Sequence, residues 1–210
     1  MNETAQKEKS LLANHINKNT MSREKLEKQI LAFLDEARSR PGTTDKPGCC
    51  LKHGLACVLC TVHEGLPRAT PIDFFADGLT LWHAGEPGLK IRNIRSNPKV
   101  AVGIYYPIDH SVLNRSLQIS GTATLVPYAG HEQEFMDRLK HMGVYEASLK
   151  VMGEMFAAGG KPADKLQEEL VKALRRFNLI RIEPDEIVYL RIHPTEGTEK
   201  NIWTKTAAEA

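Results

Sequence analysis

The chain has no apolar run approaching the roughly 20 residues that a membrane-spanning helix needs. Residues 1–20 are polar apart from Leu11-Leu12-Ala13, so they lack the hydrophobic region of a secretory signal. Neither charge is in excess: 28 Lys and Arg against 26 Asp and Glu leave a formal +2, and the basic residues are scattered. No nucleic acid and no membrane is therefore expected as a partner. No Ser-His-Asp set, paired carboxylates or Gly-rich Walker loop is convincingly placed, which excludes the common side-chain-driven chemistries. What remains is a chain of 210 residues, 41% hydrophobic and 26% charged. That is ordinary for one soluble, cytoplasmic domain with a real core.

Cysteine is scarce and clustered. Cys49, Cys50, Cys57 and Cys60 fall within twelve residues, with His53 and His63 close by, which raises the question of a zinc or iron–sulfur site. The segment Leu55-Ala56-Cys57-Val58-Leu59-Cys60-Thr61-Val62 argues against one. It is apolar and β-branched, without the Gly or Pro that shapes a metal knuckle. On a strand, Cys57 and Cys60 point to opposite faces and cannot share an ion. The expectation is no metal, with the cysteines serving as small core hydrophobes.

Periodicity supplies the outline. Residues 1–20 are expected to form a flexible tail and 21–205 a single domain. Ser22 caps a helix to about Ser39 whose apolar stripe is Leu26, Ile30, Phe33, Leu34 and Ala37. Short strands follow at 54–63, 67–75 and 79–84, joined by the turns His63-Glu64-Gly65 and Ala76-Asp77-Gly78. Pro71 interrupts the second of these strands, so that position belongs at a sheet edge or beside a ligand. A helix over about 88–96 ends at Asn97-Pro98, with Ile91 and Ile94 inward and Arg92 and Arg95 outward. Strands at 100–106 and 117–125 come next, Gly121 marking a bulge or close approach. Residues 130–176 change to a helical period and read as an inserted helical block, before two final strands at 177–182 and 186–192. Short antiparallel strands with tight turns indicate a small barrel.

Two segments favour a phosphate. Gly65-Leu66-Pro67-Arg68-Ala69-Thr70-Pro71 delivers an arginine to the start of a strand. Trp82-His83-Ala84-Gly85-Glu86-Pro87-Gly88-Leu89-Lys90 is a strand that breaks into a Gly/Pro loop and opens a helix with Lys90 in its first turn. Free amides and the positive end of a helix dipole favour an anion there. Two cations on neighbouring elements of a small barrel point to a phosphorylated cofactor.

These residues, followed by Lys90-x-Arg92-Asn93-x-x-x-Asn97-Pro98-x-Val100-Ala101 and Leu117-x-Ile119-x-Gly121-x-Ala123, resemble the FMN-binding split barrel of the pyridoxamine 5′-phosphate oxidase-related family. The likeness covers residues 50–126 and, more loosely, the final strands. It implies a mainly β fold with flanking helices: a six-stranded antiparallel split β-barrel, a homodimer with FMN in the clefts between protomers. It also implies that Arg68 and Lys90 meet the FMN phosphate, and that the backbone of Ala69, Thr70 and Pro71 and of Trp82, His83 and Ala84 lines the flavin. Ser116 or Gln118 would reach the cofactor from the other protomer, and Trp203 would lie near the ring. The function implied is a flavin-dependent oxidoreductase acting on a small-molecule substrate in the dimer cleft. The chain departs from the oxidase proper at Gly88-Leu89-Lys90, where a serine-arginine-lysine run is usual, and at Asp73, where a lysine ends the strand. Arg191-Ile192-His193 also lacks its glycine-rich approach. Those departures argue against pyridoxamine phosphate as substrate.

Three alternatives stay open at this level. One is a haem-binding or haem-degrading protein on the same barrel, with His53, His63, His83 or His131 as axial ligand. Another is a non-catalytic flavin carrier. The third is a deazaflavin in place of FMN. His83, at a strand end beside the phosphate loop, is a candidate for hydrogen bonding to the flavin or for proton transfer to substrate.

Overall fold

The computed structural model describes residues 16–39, 57–106 and 111–206. In chain order these form β1 (Ile16–Lys18), α1 (Arg23–Ser39), β2 (Cys57–His63), β3 (Leu66–Ile72), β4 (Phe75–Asp77), β5 (Thr80–Gly85), α2 (Leu89–Ser96), β6 (Lys99–Tyr105) and β7 (Asn114–Pro127). Then come α3 (Glu132–His141), α4 (Val144–Ala158), a 3-10 turn at Ala163–Lys165, α5 (Leu166–Leu174), β8 (Asn178–His193) and β9 (Gly197–Thr204). Among the described residues no helix is long and apolar enough to cross a membrane. Cys49, Cys50 and His53 lie outside the described residues.

One sheet runs β1-β9-β8-β7-β6-β2-β3, with β5 bonded to β8 and β4 to β5. All pairs are antiparallel except β1 with β9. The sheet curls without closing, and the architecture is the expected split barrel. Among the described residues nine strands build it, adding to the six that the resemblance implies. The two segments read as separate final strands are one, β8, which passes Pro184-Asp185 as a bulge against a register shift between Ser120 and Gly121. Gly121 is required there, since a Cβ would collide with the Glu183 carbonyl and Pro184. The other additions, β1, β4 and β9, are short or polar.

Strand alternation sorts side chains onto two faces. Leu59, Val102, Leu117, Ile119, Ile182, Ile187 and Tyr189 point inward. They are covered by the stripe Leu26, Ile30, Phe33 and Leu34 of α1 and by Ile91 and Ile94 of α2. Ser22 starts α1: its Oγ accepts the Lys25 N–H at 3.4 Å and its carbonyl accepts the Leu26 N–H at 2.9 Å.

The outer face has two unlike halves. Over β4, β5 and the first half of β8, Phe75, Trp82 and Leu179 form a second core with Phe135, Leu139, Leu170 and Leu174 of the helical insertion. The other half, over β2, β3, β6 and the facing stretch of β7, presents Val58, Cys60, Ala69, Pro71, Ala101, Gly103, Tyr105 and Gln118. These side chains are small or uncharged, and Tyr105 stands 53% exposed. Cys57 and Cys60 fall on opposite faces of β2, Cys57 inward and Cys60 outward. Burial pushes the Cys57 thiol up to about 12, which removes it as a thiolate.

Candidate functional site

The site grows from the packing of α2 on β2. Thr61, fully buried on the inner face, accepts a hydrogen bond from Asn93 Nδ2 at 3.0 Å. One turn further on, Ser96 Oγ donates to the Asn93 carbonyl and lies 2.9 Å from His63 Nδ1. Helix and strand therefore run parallel, with Ser96 level with His63 and Asn93 level with Thr61. A further turn back, Lys90 falls level with Leu59. Directly across the ladder, Thr61 faces Arg68 and Leu59 faces Thr70. Opposed residues of an antiparallel pair share a face. Arg68 and Thr70 thus stand on the side that carries Lys90, while Ala69 and Pro71 alternate to the outer face. β3 bonds only to β2, so Pro71 occupies an edge strand.

Among the described residues this corner lacks internal partners. Neither the Arg68 nor the Lys90 side chain forms an ion pair with another described residue. Thr70 Oγ1 is buried with no hydrogen-bond partner. Gly88 caps α2 without any side-chain hydrogen bond to the helix start. Two unneutralised cations, an orphaned hydroxyl and an uncapped helix N-terminus on one side of the sheet suit a phosphate ester. A phosphorylated flavin fits that donor set.

His83 closes the other flank. It is 2% exposed and points inward with Leu81, opposite Ile180. Its Nδ1 lies 2.6 Å from the Asp73 carbonyl. A carbonyl only accepts, so Nδ1 carries the proton and Nε2 presents a lone pair. Nε2 is buried with no partner. Burial lowers the imidazole to about 4; the Asp73 carbonyl and carboxylate oppose this and the Lys90 cation adds to it. His83 is neutral at pH 7, and Lys90 is close enough for its charge to be felt. With Asp73, Phe74, Phe75, Trp82, Ala84, Met142 and Val144 it lines a cavity of about 10 Å³. That volume admits one water-sized group and no porphyrin.

The remaining candidates are not gathered at this corner. Trp82 faces the helical insertion, where the Arg138 guanidinium stacks 4.2 Å from the ring and also reaches Asp77 at 2.8 Å. Ser116 and Gln118 sit on the outer face of β7, opposite Tyr105 and Gly103, on the reverse side of the sheet from Arg68 and Lys90. Trp203 is buried on the inner face of β9, its Nε1 donating to Glu27 Oε1 at 2.6 Å, with Arg23 5.1 Å over the ring. Its indole is engaged by α1 within the same protomer. Of the candidate haem ligands, His63 bonds Ser96 and His131 lies 3.4 Å from Glu134. The sequence reading passed over two contacts, Thr61 with Asn93 and His83 with the Asp73 carbonyl. Asn93 shares the helix edge of Lys90, which was a usable signal; a backbone acceptor leaves none.

The family model described as pyridoxamine 5′-phosphate oxidase matches residues 48–191. The fold is similar to that of a pyridoxamine 5′-phosphate oxidase-related, FMN-binding protein from Nostoc punctiforme, with TM-score 0.59 and 14% identity over 91% of this chain and 95% of that one. It is also similar to PhzG from Burkholderia lata, solved with tetrahydrophenazine-1-carboxylic acid, with TM-score 0.53 and 17% identity over 88% and 87% of the two chains. No curated protein matches the chain in sequence.

Proposed function

Because the chain belongs to the pyridoxamine 5′-phosphate oxidase family, an FMN-binding family by its relatives, we propose that it is itself an FMN-dependent oxidoreductase. Its small-molecule substrate would enter a cleft between two protomers. The observation that carries this reading is the corner of Arg68, Lys90 and Thr70, where the two cations have no ion-pair partner and the buried hydroxyl no hydrogen-bond partner among the described residues. Arg68, Lys90 and the start of α2 bind the phosphate. The backbone of Ala69, Thr70 and Pro71 and of Trp82, His83 and Ala84 borders the flavin. Ser116 and Gln118 face away from that corner in one chain, so their part in the site comes from a second copy meeting the uncharged outer face around Tyr105. A flavin bound there supplies hydride and one-electron chemistry, and the protein contributes binding, orientation and exclusion of water. Asp73 at the end of β3 and Glu86 in the loop bring negative charge beside the site, which disfavours a second phosphate on the substrate.

The test is the double variant Arg68→Ala with Lys90→Ala. Each charge-assisted contact contributes about 1.5–3 kcal/mol, so FMN affinity should fall on the order of a hundredfold or more while far-UV circular dichroism stays native. Unchanged FMN affinity in a folded variant removes the phosphate assignment. Identifying the chromophore that copurifies separates FMN from a deazaflavin or haem. Reduction by NADH or NADPH followed by reoxidation with an acceptor separates an enzyme from a carrier.

A further inference from the structure

Two residues of β6 stand on the outer face without the chain's own packing accounting for either. Tyr105 carries its ring more than half exposed, and no other described residue hydrogen-bonds to it or stacks on it. Two positions back on the same face lies Gly103. A Cβ added there would meet no atom within 4 Å, and the backbone is not left-handed. Neither crowding nor conformation therefore calls for glycine. A glycine inside a strand weakens it, and commonly marks a place that a ligand or another chain approaches closely. A projecting ring thus stands beside a gap in the side-chain layer. The gap is set in uncharged surroundings. Across the ladder Gly103 faces Val58 on one side and Gln118 on the other. The same row continues through Val188 to the exposed Ile202. Such a face suits another sheet face.

We propose that Tyr105 and Gly103 form a reciprocal lock between two copies of this chain, the ring of each seated in the gap of the other. Projection and gap are two residues apart on one strand. A twofold axis lying between two such faces, and crossing β6 level with Ile104, sets Tyr105 over the partner's Gly103 and the partner's Tyr105 over Gly103. Packed sheets lie about 10 Å apart, so a tyrosine ring that crosses the layer needs a position with no side chain opposite. The face is complementary to itself, which is the condition for an isologous contact. The inference rests on the two-protomer cleft proposed above, and deepens it by naming the contact that holds the second copy.

Fluorescence-detected sedimentation of the labelled full-length protein reads the dimer dissociation constant. Tyr105→Ala should raise it by about a hundredfold, because an anchor residue counts twice in a twofold contact. Gly103→Phe should raise it comparably by filling the gap, with native far-UV circular dichroism, since the single chain has room for the side chain. The double variant, Tyr105→Ala with Gly103→Phe, puts ring and gap back in exchanged positions. It should dimerise about tenfold or more better than either single variant, a coupling that only residues in contact show. A dimer that neither single variant weakens overturns the lock. So does a double variant weakened by the product of the two single effects. A monomeric wild type overturns the lock and the shared cleft together. FMN titrated into the same samples is read by quenching of its fluorescence. Absence of FMN binding in wild type overturns the flavin reading, while the dissociation constants still judge the lock. Should Gly103→Phe fail to fold, Tyr105→Ala, at an exposed position, decides.

Discussion

Holding His83 neutral inside the fold makes stability depend on pH in a defined window. The imidazole titrates at about 4 in the native state against an ordinary 6.5. Above pH 6.5 it is neutral in both folded and unfolded chains and exerts no pH effect. Between 6.5 and 4 the unfolded chain takes up a proton that the native state refuses, so stability is lost as the pH falls. The difference of 2.5 in pKa, at about 1.4 kcal/mol each, sets a loss approaching 3 kcal/mol by pH 4. The loss is large beside the 5–15 kcal/mol of a typical domain. Urea denaturation of wild type and His83→Phe at pH 7.0 and about 4.5 measures it, because groups common to both proteins cancel in the difference. Wild type should lose roughly 2 kcal/mol more than the variant over that interval. Equal losses in the two proteins would refute a desolvated, neutral His83. A larger loss in the variant would mean that the native imidazole is charged, with Asp73 outweighing burial and Lys90.

Other outcomes follow from the packing. Gly121→Ala places a methyl against the Glu183 carbonyl and Pro184, backbone that cannot step aside. It should cost about 1–3 kcal/mol by thermal denaturation, and an unchanged midpoint would contradict the close approach of β7 and β8. Asn93→Leu strands the fully buried Thr61 hydroxyl. It should cost about 1–3 kcal/mol and also weaken FMN binding, because this contact seats α2 on β2. A loss of stability with unaltered FMN affinity would show that the seat of the helix does not govern the phosphate corner.

The legible parts of the fold were those where burial on one face writes itself into alternating residues. β7 is the clearest case, Leu117, Ile119 and Ala123 alternating against polar neighbours. β9 carries no such mark because two of its inward positions are Glu199 and Asn201. Each finds a partner for its oxygen: Glu199 accepts from Arg191 at 2.7 Å and Asn201 Oδ1 from the Met21 N–H at 3.0 Å. Pro184-Asp185 reads as a turn by composition, yet the long pairing with β7 carries the strand through it. At the site, Arg68 and Lys90 were visible because a charged residue after a turn and one at a helix start have a local signature. The orphaned state of Thr70 and the tautomer of His83 were not, since both depend on which groups tertiary packing brings near, and one of those is a backbone carbonyl.

The margins of the sheet bear on how copies of this chain can meet. One margin ends in β1, three residues long and polar, lying parallel to β9. The other is β3, where Pro67 and Pro71 remove amide donors from the free side of a seven-residue strand. Strand addition at either border is thereby discouraged, and with it open-ended polymer growth. In the dimer proposed above, two copies would accordingly meet through the outer face around Tyr105, a closed contact that ends at two.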